Sequence, residues 1–162
     1  SLSKNIDSYQ EAFDLLFKSV VHTTSLVIPQ MQKNKWGRII NVTSVSVKEP
    51  LNYLVLSNSI RSAVVAWAKS LSVDIGKDGI TINSILTGYF DTERIKELNK
   101  EKSKSLNISE NEVLEKMKSL VPINRLGKPE EYGYLVSFLS SDKASYINGA
   151  SIPIDGGLLK SY

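Results

Sequence analysis

Apolar residues recur at helical spacing over residues 8–33, where Phe13, Leu16, Val20, Val21 and Leu26 share one broad face. Asp7 or Ser8 is expected to cap this helix, and Pro29 to mark its last turns. Trp36-Gly37 interrupts the pattern. Arg38-Ile-Ile-Asn-Val-Thr-Ser44 is short, apolar and β-branched, which predicts a buried strand. A second helix is expected from about Pro50–Asn52 to Ile75, on the stripe Leu56, Ile60, Ala63/Val64, Trp67, Leu71 and Ile75, ended by Gly76 and Gly79. Ile80–Leu86 reads as a second buried strand. Lys128-Pro129-Glu130-Glu131 opens a helix reaching about Leu139, with proline near its first position and acids in its first turn. Ala150–Ile154 is a last strand that stops at Asp155-Gly156-Gly157. Strands alternating with helices predict an α/β fold, a parallel, doubly wound sheet with right-handed crossovers and three visible strands.

Residues 92–120 differ in character, being rich in Lys, Glu, Asn and Ser with opposite charges in balance. Ser109-x-x-Glu112 ahead of Val113, Leu114 and Met117 is the pattern of a capping box on a short amphipathic helix. Two readings stay open for this insertion. It is a solvated helical excursion, or a substrate lid whose lysines attract an acidic carrier or a phosphate.

Composition narrows the function classes. Hydrophobic residues are 41% and charged residues 23% of 162, ordinary for a globular domain with its own core. The net charge of +3 is too small for a nucleic-acid partner to be expected. No apolar run reaches the ~18–20 residues that span a bilayer, so no membrane role is expected. The absence of cysteine removes thiolate chemistry and fits a reducing compartment, and a cytoplasmic protein is expected. His22 alone cannot build a multi-histidine metal site; it is expected on a helix surface or an interface, and no metal is expected.

None of the nine glycines forms Gly-x-Gly-x-x-Gly after an opening strand. The first strand visible here would then carry an unpaired apolar edge. The expectation is a C-terminal portion of one domain, with the N-terminal dinucleotide-binding half absent.

Several segments, in order, carry a family resemblance. They are Trp36-Gly-Arg-Ile-Ile-Asn-Val-Thr-Ser44, Ala68-Lys-Ser-Leu71, Gly79-Ile-Thr-Ile-Asn83, Gly88-Tyr-Phe-Asp-Thr92, Pro122-Ile-Asn-Arg-Leu-Gly-Lys-Pro-Glu-Glu131 and Pro153-Ile-Asp-Gly-Gly157. Together they resemble the short-chain dehydrogenase/reductase superfamily, and within it the 3-oxoacyl-[acyl-carrier-protein] reductase group. The resemblance implies the C-terminal half of a Rossmann-type sheet and an NAD or NADP cofactor. It also implies an oxidoreductase that moves hydride to or from a carbonyl or alcohol, small or carried on an acyl carrier. Helices 8–33 and 50–75 correspond to those through which family members pair, which implies a homo-oligomer.

Residue by residue the family's site is degenerate. Its serine falls on Ser44, but the helix asparagine falls on Leu16, the tyrosine on Ser57 and the lysine on Arg61. In the Pro-Gly pair bordering the nicotinamide, the proline is Thr87 and the glycine Gly88, while Thr92 matches the threonine that helps hold the same cofactor end. The candidate catalytic residues are therefore Ser44, Ser57 and Arg61, and the cofactor-binding candidates Thr87, Gly88 and Thr92.

General acid catalysis favours a group whose pKa can be brought near the working pH. A phenol at ~10 can be brought down, whereas the short alcohol of Ser57 is far less acidic. Arg61 keeps the positive charge of the lysine but stays protonated and cannot relay a proton. Substitute acids are Tyr53, one helical turn before Ser57, and Tyr89, in the loop after the second strand. Both equally suit a packing role, as Ser44 suits turn hydrogen bonding and Arg61 a solvated helix face. Altered or weak oxidoreductase chemistry is one expectation. The other is an inactive homologue that binds a ligand or scaffolds an oligomer.

Overall fold

The computed structural model describes residues 6–51 and 54–161. Helix α1 (Ile6–Phe13) and helix α2 (Ser19–Asn34) are continuous through a widened turn, Asp14–Lys18. There the Ser19 N–H donates to the Asp14 carbonyl, five residues back, which defines a π turn. The predicted helix is thus present with an interruption that periodicity could not show, and Leu16 lies inside it. Asp7 and Ser8 are themselves helical and do not cap the helix. Pro29 sits inside α2, which continues to Asn34 and ends where Lys35 takes a left-handed φ of 51°.

Strand β1 (Gly37–Ser44) pairs in parallel with β2 (Ile80–Thr87), which pairs in parallel with β3 (Ser151–Ile154). A tight turn over Val45–Val47 follows β1, and helix α3 starts at Val55, later than the expected 50–52. It ends in a turn over Gly76–Asp78, and Gly79 then adopts φ +73° against the Lys35 carbonyl, where a side chain has no room.

The core lies on both faces of β2. On one face Ile39, Ile80 and Ile82 pack with Ala68 and Ile75 of α3, together with Ile28 and Met31 of α2. On the other, Ile85, Ile40, Ile152 and Ile154 pack with Tyr132, Leu135, Val136 and Leu139 of helix α6 (Pro129–Leu139). Helices α3 and α6 therefore cover opposite faces, although both connections step the chain the same way along the order β1-β2-β3. Two such connections have opposite hand, so the expectation of right-handed crossovers throughout fails for one of them. The 41-residue path from β2 to α6 gives the chain length to cross the sheet end and reach the far face.

Helices α4 (Glu93–Leu106) and α5 (Glu110–Ser119) fill that path. The capping box forms as the spacing predicts: Glu112 Oε2 accepts from the Ser109 N–H at 2.8 Å, and Ser109 Oγ from the Glu112 N–H at 3.1 Å. Asn99 and Val113 are buried, so this pair of helices has an inner face as well as a charged outer one. Among the described residues no strand pairs with the outer edge of β1, where Val42 is 60% exposed.

The loop leading into α6 is held by Arg125, whose guanidinium makes two 2.7 Å hydrogen bonds to the Glu131 carboxylate. Arg125, with the Lys128 N–H, holds that carboxyl down to about 2, below its ordinary 4.5. The sign follows from the depression: the bridge contributes fully above pH 4.5 and is lost as pH falls toward 2. Because the pair is exposed, the effect is small and salt-sensitive. Between pH 6 and pH 3 the wild-type protein is expected to lose slightly more stability than Glu131→Gln, a difference that added salt reduces, as thermal unfolding would record.

Candidate functional site

The carboxyl ends of β1 and β2 bring several polar side chains into one row. Ser44 and Thr87 are register partners on adjacent parallel strands. Alternation along β1 puts Ser44 on the face of Ile40, and alternation along β2 puts Thr87 on the face of Ile85, which is the α6 face in both cases. Ser44 Oγ accepts from the Ser46 N–H at 3.1 Å, which fixes its position. Thr87 Oγ1 donates to Tyr132 Oη at 3.2 Å.

Ser57 and Arg61 meet across one turn of α3, with Arg61 Nε donating to Ser57 Oγ at 3.3 Å. Arg61 Nη1 also donates to the Val42 carbonyl at 3.3 Å, which anchors it two residues before Ser44. Of the three sequence-predicted catalytic residues, Ser57 and Arg61 are in direct contact, and Ser44 lies two residues along the strand from Val42, whose carbonyl Arg61 grips. Leu16 places an aliphatic side chain where the resemblance expects an amide. Tyr53 lies outside the described residues. His22 is exposed on α2.

Gly88 donates its N–H to the Ile154 carbonyl at 3.0 Å, and a Cβ there would stand 2.6 Å from Asp155 Cα. The close approach of β2 and β3 at their ends demands a glycine at that position. Thr92 caps α4, its Oγ1 accepting from the Ile95 N–H at 3.4 Å while its own hydroxyl proton is left for another acceptor. Tyr89 lines a cavity of about 240 Å³ with Phe90, Val121, Ile123 and Ile154, bounded by Arg125 and Glu131; Ser44, Ser57 and Arg61 do not line it.

Two features escaped the sequence. Tyr132 on α6 is half-buried, with its ring edge-on to Phe90 at 5.4 Å between centroids. Burial pushes its phenol above the ordinary value, while the Thr87 hydroxyl and the Arg61 guanidinium pull the other way. The second feature is a clasp on the chain's tail. Glu49, just beyond β1, accepts from the N–H groups of Lys160 and Ser161, both at 2.7 Å, and these bonds hold its carboxyl below the usual range. Asp155 accepts from the N–H groups of Gly157 and Leu159 at 2.9 and 2.8 Å, so the tail bends back toward the Ser44 end of the sheet.

The hydroxyls of Ser44 and Thr87, on register-paired strand ends, and the Arg61 guanidinium on the Val42 carbonyl are of the chemical types that hydrogen-bond ribose hydroxyls and a carboxamide. Among the described residues no group of three acidic or histidine side chains converges as metal ligands, and no helix is long and apolar enough to cross a membrane.

A family model described as enoyl-(acyl carrier protein) reductase matches residues 2–159. Among curated proteins, the NADPH-dependent reductase BacG of Bacillus subtilis is 34% identical over 131 residues, 81% of this chain and 51% of that protein. Nodulation protein G of Azospirillum brasilense is 31% identical over 140 residues, 86% of this chain and 52% of the relative. A crystal structure of L-sorbose reductase from Gluconobacter frateurii, complexed with NADPH and L-sorbose, superposes with a TM-score of 0.93 at 28% identity, covering 99% of this chain and 62% of the other. The chain spans about half the length of the curated relatives it matches.

Proposed function

The chain belongs to the short-chain dehydrogenase/reductase family, and from that premise we propose that it forms the carbonyl-binding portion of an NAD(P)-dependent oxidoreductase resembling 3-oxoacyl-[acyl-carrier-protein] reductase, with altered acid–base chemistry. The observation that carries the proposal is the row at the sheet's carboxyl end: Ser44 beside Thr87, with Arg61 anchored to the strand that presents Ser44. Bound there, a reduced nicotinamide supplies a hydride. Ser44 Oγ donates a hydrogen bond to the substrate oxygen and stabilises the charge that grows on it. Arg61 places a permanent positive charge near that oxygen and near the ribose, and Thr87, Gly88 and Thr92 border the nicotinamide end.

Ser57 cannot replace the family's phenol. Its oxygen already accepts from Arg61, and an aliphatic alcohol is a poor acid. Helices α4 and α5, with their lysines outward, form the lid over a small or carrier-bound carbonyl substrate, and pairing through α1–α2 and α3 gives a homo-oligomer. Exposed Ile6, Leu15 and Leu26 on those helices support that pairing.

The proposal is tested by titrating NADPH and NADH into the full-length protein and following cofactor fluorescence. Saturable binding is expected, weakened about tenfold or more by Arg61→Ala through loss of a charge-assisted contact worth ~1.5–3 kcal/mol. Failure of both cofactors to saturate the wild-type protein overturns the reading.

A further inference from the structure

We propose that Tyr132 supplies the phenol that α3 lacks and delivers the proton to the carbonyl oxygen reduced beside Ser44. The inference rests on the oxidoreductase reading above and names the acid which that reading leaves open.

Position is the first argument. Ser44 and Thr87 are register partners with side chains on the α6 face, and Tyr132 rises from α6 to meet Thr87 at 3.2 Å. Three hydroxyls therefore stand in sequence across the carboxyl end of the sheet. Ser44 begins the row where the substrate oxygen is held, and the phenol ends it. Thr87 donates to Tyr132 Oη, so the phenolic proton itself is left for an acceptor outside this pair.

Chemistry is the second. The Tyr132 ring is pinned edge-on by Phe90 and half-buried, which limits the geometries its hydroxyl can take. A phenol is protonated at neutral pH, the form a proton donor must have. Burial raises its pKa further and opposes proton release, while the Thr87 hydrogen bond and the Arg61 charge pull it the other way. The phenolate left after transfer accepts the Thr87 hydrogen bond and lies within electrostatic reach of Arg61. Arginine in place of the family's lysine suits this arrangement, because its charge persists at any pH that ionises a phenol.

The step balances. As hydride from the reduced nicotinamide adds to the carbonyl carbon, the Tyr132 O–H bond breaks and a new O–H bond forms on the substrate oxygen. The phenolate regains its proton from water. Tyr89 is the poorer candidate, since its side chain lines the separate cavity beneath Ile123 and Ile154 rather than the row headed by Ser44.

The test uses the full-length protein labelled with ¹³C at tyrosine Cζ, and the Tyr132→Phe, Arg61→Ala and Arg61→Lys variants. The Tyr132 resonance is identified by its loss in Tyr132→Phe. It is expected to titrate above the ordinary phenol value of ~10, to shift further upward in Arg61→Ala, and to shift upward by less in Arg61→Lys, whose ammonium loses its charge over the same pH range. A Tyr132 titration unmoved by Arg61→Ala overturns the inference without any assay of turnover. In parallel, Tyr132→Phe is expected to bind cofactor as the wild type does, yet to lose ~10²–10⁴-fold in kcat with KM little changed. Wild-type kcat in that variant also overturns the inference while leaving the oxidoreductase reading intact. Failure of the wild-type protein to bind either cofactor overturns that reading, and the role of Tyr132 falls with it.

Discussion

Ser44→Ala in the full-length protein is expected to slow carbonyl reduction about 10²–10³-fold, the cost of deleting one preorganised donor to a developing oxyanion. Ser44 sits at the last position of β1, half-buried, and its hydroxyl accepts from the Ser46 N–H. Alanine keeps the strand but removes the acceptor of the Ser46 N–H in a buried turn, a cost of about 1–3 kcal/mol that the fold is expected to survive. What disappears is a donor fixed by the strand on one side and the turn on the other. Steady-state kinetics should place the loss in kcat, with the cofactor dissociation constant unchanged. Equal losses in cofactor affinity would instead make Ser44 a binding residue.

Ile82→Ala is expected to lower the unfolding free energy by about 2–5 kcal/mol, the range for removing a large aliphatic side chain from a packed core. Ile82 is fully buried in the central strand, against Ile39, Ala68 and Ile75. Both faces of β2 are covered, so the neighbours have little room to collapse into the cavity. Val42→Ala provides the contrast. Val42 is 60% exposed at the outer edge of β1, and its change is expected within about 0.5 kcal/mol. Urea unfolding of the two variants separates the cases; similar midpoints for both would contradict the placement of β2 at the centre.

Much of the layout was legible in the sequence because burial writes itself into periodicity. Gly37–Ser44 and Ile80–Thr87 are rich in β-branched residues, as buried parallel strands require, and both strands appear within a residue of their expected bounds. The capping box at Ser109 was equally readable, being a purely local pattern. The failures are just as physical. The π turn at Asp14–Lys18 inserts one residue, and the apolar face of residues 8–33 is too broad to mark where it falls. The opposite hands of the two crossovers depend on which face α6 selects, and both faces of β2 are apolar, so its sequence does not discriminate.

The site was legible in part for the same reason. Contact between Ser57 and Arg61 follows from helical spacing, and Ser44 from the end of an apolar run. Tyr132 was not readable, because its partner Thr87 lies 45 residues away across the whole α4–α5 excursion. The Glu49 clasp on Lys160 and Ser161 spans 111 and 112 residues, beyond any local pattern. Contacts assembled by topology are what a linear reading misses.

The most direct measurement is carbonyl-dependent oxidation of NADPH and NADH by the full-length protein, read from the absorbance of the reduced cofactor across 3-oxoacyl and small-ketone substrates. Oxidation that saturates in both cofactor and carbonyl is expected with at least one pair. Cofactor that binds nowhere and is consumed with no substrate would contradict the reductase site, and would leave the Ser44–Thr87 row as part of a binding or scaffold protein.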